Sequence, residues 1–315
     1  MAMKTITAAA WGMLLLVVSL AAQGQVSVVD DRGRSLTLPR LPQRVVSLLP
    51  SLTEAVCALQ ACGRLVGIDR HSDWPAQVRT LPRLGGLEDT QIERIVALKP
   101  DLVLAAVSSR AVDRLEALGV PVLALEPQSL ADTRRMVQRV ALALGVAGEG
   151  DALLKQIDSR IAAAARRVPP AWRGRKLYVE VASVPFAASE ASFIGELLTL
   201  LGLGNVVPAS LGPFPQLNPE FVLRAQPDVV VASARALAGM PARPGWGTLK
   251  ALQAGHSCGL APDAWDALVR PGPRLGEAAD ALADCVAGLD SPGGPGGQGG
   301  RGGPAGQGGL GRIAP

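Results

Sequence analysis

The feature that most constrains the fold is an internal repeat: residues 92–105, IERIVALKPDLVLA, recur at residues 219–232 as PEFVLRAQPDVVVA. Each copy reads Glu, six residues, Pro-Asp, then an apolar run ending in Ala. In the first copy Ile92, Ile95, Val96 and Leu98 have helical spacing and Pro100 stops the helix. Residues 102–104 then form the unbroken apolar run of a strand covered on both faces. A short helix feeding a parallel strand, once in each half of the chain, predicts two α/β lobes of similar build, with Glu93 and Glu220 at matching places. An acid in the first turn of a helix needs no functional reason by itself, since it favours the helix dipole by about 0.3–1 kcal/mol.

A chain of 315 residues with 48% hydrophobic and 18% charged residues is sufficient for two cores. The net charge of +4 comes from 26 Arg and 5 Lys against 27 acids, spread along the chain rather than gathered in a stripe, which argues against nucleic-acid binding. Lys4 followed by the apolar stretch 8–22 has the layout of a secretory signal peptide, too short for a spanning helix. Cleavage after Ala22 or Gly24 is expected to leave a soluble periplasmic protein, and no Cys follows the apolar run to take a lipid anchor. In an oxidising compartment Cys57, Cys62, Cys258 and Cys285 are free to pair. Bridging Cys57 to Cys62 requires a helix to end between them.

In chain order, residues 26–38 read as a hairpin turning at Asp31-Arg32-Gly33, and residues 44–49 as the first buried strand. Ser51-Leu-Thr-Glu54 has capping-box spacing and is expected to open a helix to about Leu59. Ligands bind beyond the carboxyl ends of parallel strands, so the segments that follow the strands form the rim of a site. They hold Pro50, then His71 and Trp74, Arg110, Phe186, Phe214, and a last stretch with Asp263, Trp265, Asp266 and Arg270. A helix of residues 149–167, with Leu153, Leu154, Ile157 and Ile161 on one face, joins the lobes stiffly. The expected layout is a signal peptide at 1–24, an N-terminal lobe at 25–145, a connecting helix at 146–170 and a C-terminal lobe at 171–289. Beyond these lies a disordered tail at 290–315, where 12 of the last 25 residues are Gly. The fold class is α/β, two Rossmann-like lobes with parallel-rich sheets joined by one long rigid helix.

The rim makes an apolar cleft with a few polar anchors, suited to a bulky ligand. A hydrolase using the His71 loop, with Asp69, Ser72 and Asp73 nearby, is the enzyme alternative, but neighbours along one loop do not make a triad and no Gly-x-Ser-x-Gly occurs. A zinc receptor would need several His or carboxylate ligands, and the histidines are His71 and His256. No enzyme activity and no cofactor of the protein's own are expected.

The export signal, VVSLLPSLTE, the SDWP loop after strand VGI, IERIVALKPDLVLA, PFPQLNPE and RPGPR together resemble the periplasmic substrate-binding proteins of metal-chelate importers, over residues 26–289. This is the cobalamin, haem and iron-siderophore class, and the likeness is nearest to its cobalamin binders. The resemblance implies a class III periplasmic binding protein, a monomer that delivers its ligand to an ABC importer permease and its ATPase. It implies that Glu93 and Glu220 dock the lobes on permease arginines. Cobalamin is the implied ligand, held by Pro50, His71, Trp74, Phe186, Phe214, Asp263, Trp265 and Arg270. The class has aromatic residues where this chain has His71 and Leu87. His71 is therefore either pocket wall or an axial donor to a chelated metal, which keeps haem open, as Arg110, Arg235 and Arg270 keep an iron chelate open.

Overall fold

Each half of the chain builds a parallel sheet with the same strand order. The computed structural model describes residues 25–182 and 185–289. The expected signal peptide and Gly-rich tail lie outside them. The hairpin comes first, β1 (Val26–Val29) and β2 (Ser35–Leu38), with Gly33 at φ 77° in its turn. Then follow β3 (Val45–Ser47), α1 (Pro50–Ala58), β4 (Leu65–Ile68), α2 (Ile92–Ala97), β5 (Leu102–Ala105), α3 (Ala111–Ala117) and β6 (Val122–Ala124). Their sheet has the order β4-β3-β5-β6, all parallel. Two long helices follow, α4 (Leu130–Leu144) and α5 (Ala147–Arg167).

The second lobe contains β7 (Lys176–Ala182), β8 (Phe186–Ala187), α6 (Phe193–Leu200), β9 (Gly204–Asn205), α7 (Pro219–Ala225) and β10 (Val229–Ser233). It closes with α8 (Ala234–Gly239), α9 (Lys250–Gln253), β11 (Ser257–Leu260), α10 (Pro262–Val269) and α11 (Leu275–Ala287). Here β9, β7, β10 and β11 lie side by side in parallel, and β8 pairs antiparallel with the end of β7. Numbered within its lobe, each parallel sheet runs 2-1-3-4, and the repeated helix-strand unit supplies strand 3 in both.

The repeat holds at the level of single residues. In each copy the residue before Pro-Asp is left-handed, Lys99 at φ 46° and Gln226 at φ 42°, so the helix ends one step before the proline that cannot continue it. The aspartate then pins the neighbouring strand. The Asp101 N–H donates to the Arg44 carbonyl at 2.8 Å and its carboxylate accepts the Arg44 N–H at 3.1 Å; Asp228 does the same to Lys176, at 2.8 Å both ways. The Gln43 N–H, with Arg40 and Arg44, holds the Asp101 carboxyl below the usual range despite its partial burial. Pro-Asp is thus a register device that sets strand 3 against strand 1. Val96 departs from the expected apolar stripe, since it is exposed.

Side chains alternate across both sheets, as a pleated strand requires. Val45, Leu102 and Leu104 of the first sheet and Leu177, Val179, Val229 and Val231 of the second face a single core that also holds Leu154, Ile157 and Ile161 of α5 and Leu282 and Val286 of α11. Their neighbours Val46, Val103 and Ala105, or Tyr178, Val230 and Ala232, face separate outer cores under the flanking helices. The inner core therefore runs without a break from lobe to lobe through α5, a helix of 21 residues and so about 32 Å long.

Several local expectations are corrected. Ser51 and Glu54 do not cap α1: Pro50 occupies the first helical turn, Leu49 is the N-cap, and no side chain bonds there. A capping box does occur, at Ser129 and Asp132 of α4. The segments after β10 and β11 are not open loops but helices α8 and α10. Both cysteine pairs form: α1 ends at Ala58, which lets Cys57 and Cys62 approach to 4.1 Å between Cα atoms, and Cys258 of β11 is joined to Cys285 of α11 at 5.9 Å.

Candidate functional site

The carboxyl ends of strands 1 and 3 in each lobe, the switch points where ligands bind in such sheets, lead into residues 48–51 and 106–110 on one side and Pro185 and residues 234–235 on the other. Pro50 opens α1 and is half-buried. His71 is exposed in the loop after β4, where its N–H donates to Asp69 at 2.6 Å. Ser72 in that loop is buried, bonded to Asp69 and lying 2.8 Å from Thr53, which in turn donates to Ser47 at 2.8 Å. That hydroxyl chain fixes the loop on α1 and β3, and it turns Ser72 inward, away from nucleophile duty.

In the second lobe Phe186 is exposed at the start of β8, and the segment of Phe214 runs antiparallel beside it, Ala187 N–H to Pro215 carbonyl and Ser189 N–H to Pro213 carbonyl. Phe214 is half-buried against Phe193, ring centroids 5.8 Å apart. Phe193 N–H reaches across to the Gln128 carbonyl at 2.8 Å, and Leu130 N–H to Glu196 at 2.5 Å, so this aromatic pair stands where the lobes touch. Asp263 is exposed in the first turn of α10 and Trp265 is half-buried behind it. Arg110 and Arg235 are exposed on opposite lobes, Arg110 with Glu88 4.0 Å away.

Arg270 and Trp74 are committed elsewhere. The Arg270 guanidinium bonds Glu54 at 2.9 Å, Asp73 at 2.9 Å and Asp266 at 2.9 Å. Burial works against its charge, and these carboxylates outweigh burial and raise its pKa. Arg274, four residues on, is 3.7 Å from Glu54, donates to the Asp263 carbonyl at 2.9 Å and to Glu277 at 2.9 Å, and lies 4.9 Å over the Trp74 ring. Trp74 also borders a groove of about 220 Å³ walled by Leu153 and Ile157 of α5. The Arg-Pro-Gly-Pro-Arg turn is therefore a bracket that joins the second lobe to α1 and the Trp74 loop of the first. Sequence reasoning missed Glu54 and Arg274 as members of it; a Glu among Leu52, Ala55 and Val56 was the available signal, because a charge in a buried stripe needs a partner.

Glu93 and Glu220 are exposed in the first turns of α2 and α7, equivalent helices on the two lobes. Arg224 lies 3.7 Å from Glu220 on the same helix. The histidines stand apart: His256 sits edge-on to buried Trp172, centroids 4.9 Å apart, just before β11. Among the described residues no group of three metal-ligating side chains comes together, and no helix is long and apolar enough to cross a membrane.

Residues 45–264 match the family model described as periplasmic binding protein. The chain is 25% identical to an uncharacterized ABC transporter substrate-binding lipoprotein of Bacillus subtilis, over 83% of this chain and 85% of the relative. The vitamin B12-binding protein BtuF of Vibrio cholerae superposes with a TM-score of 0.62 at 25% identity, over 78% of this chain and 96% of that one. The heme-binding protein RhuT of Roseiflexus superposes with 0.67 at 27% identity, over 78% and 98%. With its doubled 2-1-3-4 sheets, helical backbone and opposed rims, the chain belongs to the periplasmic binding protein family.

Proposed function

We propose that the protein captures a metal chelate between its lobes and hands it to an ABC importer, with cobalamin as the ligand. The observation that carries this reading is the pairing of opposed rims, bearing Pro50 and His71 on one lobe and Phe186, Phe214, Asp263 and Trp265 on the other, with one exposed glutamate at the same place on each lobe. Apolar walls hold a macrocycle, and Asp263 accepts from amides at its edge. Trp74 is set aside because Arg274 covers its ring. Arg270 is left out of the ligand set because three carboxylates occupy it. Glu93 and Glu220 suit a permease of two like subunits, each engaging one lobe and each answered by the ATPase beneath it. The unbroken inner core and α5 favour a small closure on binding rather than a hinged one. The protein acts as a monomer, exported to the periplasm, and leaves its ligand unaltered; the inward Ser72 fits that reading.

The second reading is haem, favoured by one observation: His71 is exposed at a rim position and suited to reach an iron. Titration of the mature protein with cyanocobalamin, haemin and a ferric siderophore, followed by ligand absorbance and Trp fluorescence, separates them. Saturable cobalamin binding that weakens in Phe186→Ala and Phe214→Ala is the expected result. A haem Soret shift lost in His71→Ala replaces the ligand and keeps the receptor; silence with all three overturns the reading. In Glu93→Ala/Glu220→Ala, uptake should fall while ligand affinity stays unchanged.

A further inference from the structure

The bracket between the lobes contains a chemical mismatch. Glu54 is 1% exposed, and its carboxylate is bonded through Oε1 alone, to Arg270 at 2.9 Å with Arg274 at 3.7 Å; Oε2 is buried without a partner. Three residues earlier on the same helix, Ser51 Oγ is likewise buried without a partner. A buried carboxylate oxygen with nothing to accept from is costly, and so is an orphaned hydroxyl. A proton on Oε2 removes the charge from an oxygen that no donor reaches.

Charge points the same way. Arg270 and Arg274 of the turn face Glu54; they in turn meet Asp73 of the loop after β4, Asp266 of α10 and Glu277 of α11, and Glu277 also lies 3.7 Å from Arg160 of α5. With Glu54 ionised, Arg270, Arg274 and Arg160 meet four carboxylates in a seam where Arg270 is 13% and Arg274 5% exposed. Neutralising Glu54 removes the excess where it is most deeply buried. Burial pushes the Glu54 carboxyl up to about 7, against the pull of Arg270 and Arg274.

We infer that Glu54 carries a proton when the seam between the lobes is closed, taken from solvent on closing and returned on opening, so that the seam is a pH-sensitive latch tightened by acid and loosened by base. In the closed seam Oε2 carries the proton and the carboxyl is neutral, while Oε1 still accepts from Arg270. When the turn of residues 270–274 lifts away, water reaches Glu54, the proton leaves, and the carboxylate is hydrated. Acid favours the state that binds the proton. The inference goes beyond the receptor reading and does not depend on which chelate is bound.

Hydrogen exchange of the ligand-free protein, corrected for intrinsic amide rates, tests it. Peptides covering residues 48–59 and 262–277 should exchange at least about threefold faster at about pH 8 than at about pH 6. Glu54→Gln, a neutral mimic of the protonated acid, should be slow and flat across that range, and slower than wild type at the upper end. His71→Gln, in the adjoining loop, should leave the pH midpoint in place. Flat exchange in the wild type, a midpoint that survives in Glu54→Gln, or a Glu54→Gln protein that is looser than wild type or fails to fold would each overturn the latch.

Discussion

Two glutamates in this molecule are equally buried, at 1% exposure, and they are treated in opposite ways. Glu180, inside the second lobe, is held by both arms of Arg243, at 2.6 and 2.7 Å, and by the Tyr178 hydroxyl at 3.1 Å; Arg243 in turn stacks 4.6 Å over Trp246. Both oxygens are satisfied, and burial, with the Glu180 charge beside it, drives the Tyr178 hydroxyl pKa well up. Glu54, between the lobes, has one oxygen bonded and one orphaned. A carboxylate forked by a single guanidinium is a fixed strut. One shared between two arginines and several rival acids is poised between charge states, and the poised one lies in the seam between the lobes.

The comparison is broken most forcefully at Arg243. Removing it in Arg243→Ala leaves Glu180 buried and unpaired, and should cost about 3–5 kcal/mol in denaturant unfolding. A loss under 1 kcal/mol would erase the contrast. The pH dependence of stability comes next. Because the folded Glu54 pKa, about 7, stands above its ordinary 4.5, its contribution is full below the ordinary value and disappears as pH rises through the folded one. Wild type should lose on the order of 3 kcal/mol relative to Glu54→Gln between about pH 5 and pH 8. Chemical denaturation at matched ionic strength gives the difference directly. Arg270→Ala should cost about 1.5–3 kcal/mol, less than Arg243→Ala, because a protonated Glu54 tolerates its loss and the half-exposed Asp73 is rehydrated. The smallest effect belongs to Ser51→Ala, within about 1 kcal/mol at pH 8, where the hydroxyl has no partner to lose.

The fold was legible in the sequence because the repeat carries it: Pro-Asp fixes helix end, strand start and register, and does so twice. The site was legible in part, through rim residues that follow from strand ends. The bracket was not. Ser-x-x-Glu is the spacing of a capping box and also of two side chains on one buried helix face. Pro50 was the local sign that separates them, since proline favours the first helical position and moves the cap back to Leu49. What no local pattern reveals is that Glu54 meets Arg270, 216 residues away. Arg270 was expected on the ligand because its chain position is on the rim; its partners come from the other lobe.

The most direct test follows the carboxyl carbons of uniformly 13C-labelled glutamate through a pH titration by NMR, with Glu54→Gln to assign the signal. The account expects a resonance that titrates near neutrality and vanishes in the variant. If no resonance that vanishes in the variant titrates near neutrality, Glu54 is a fixed strut, and the distinction between the two buried acids fails.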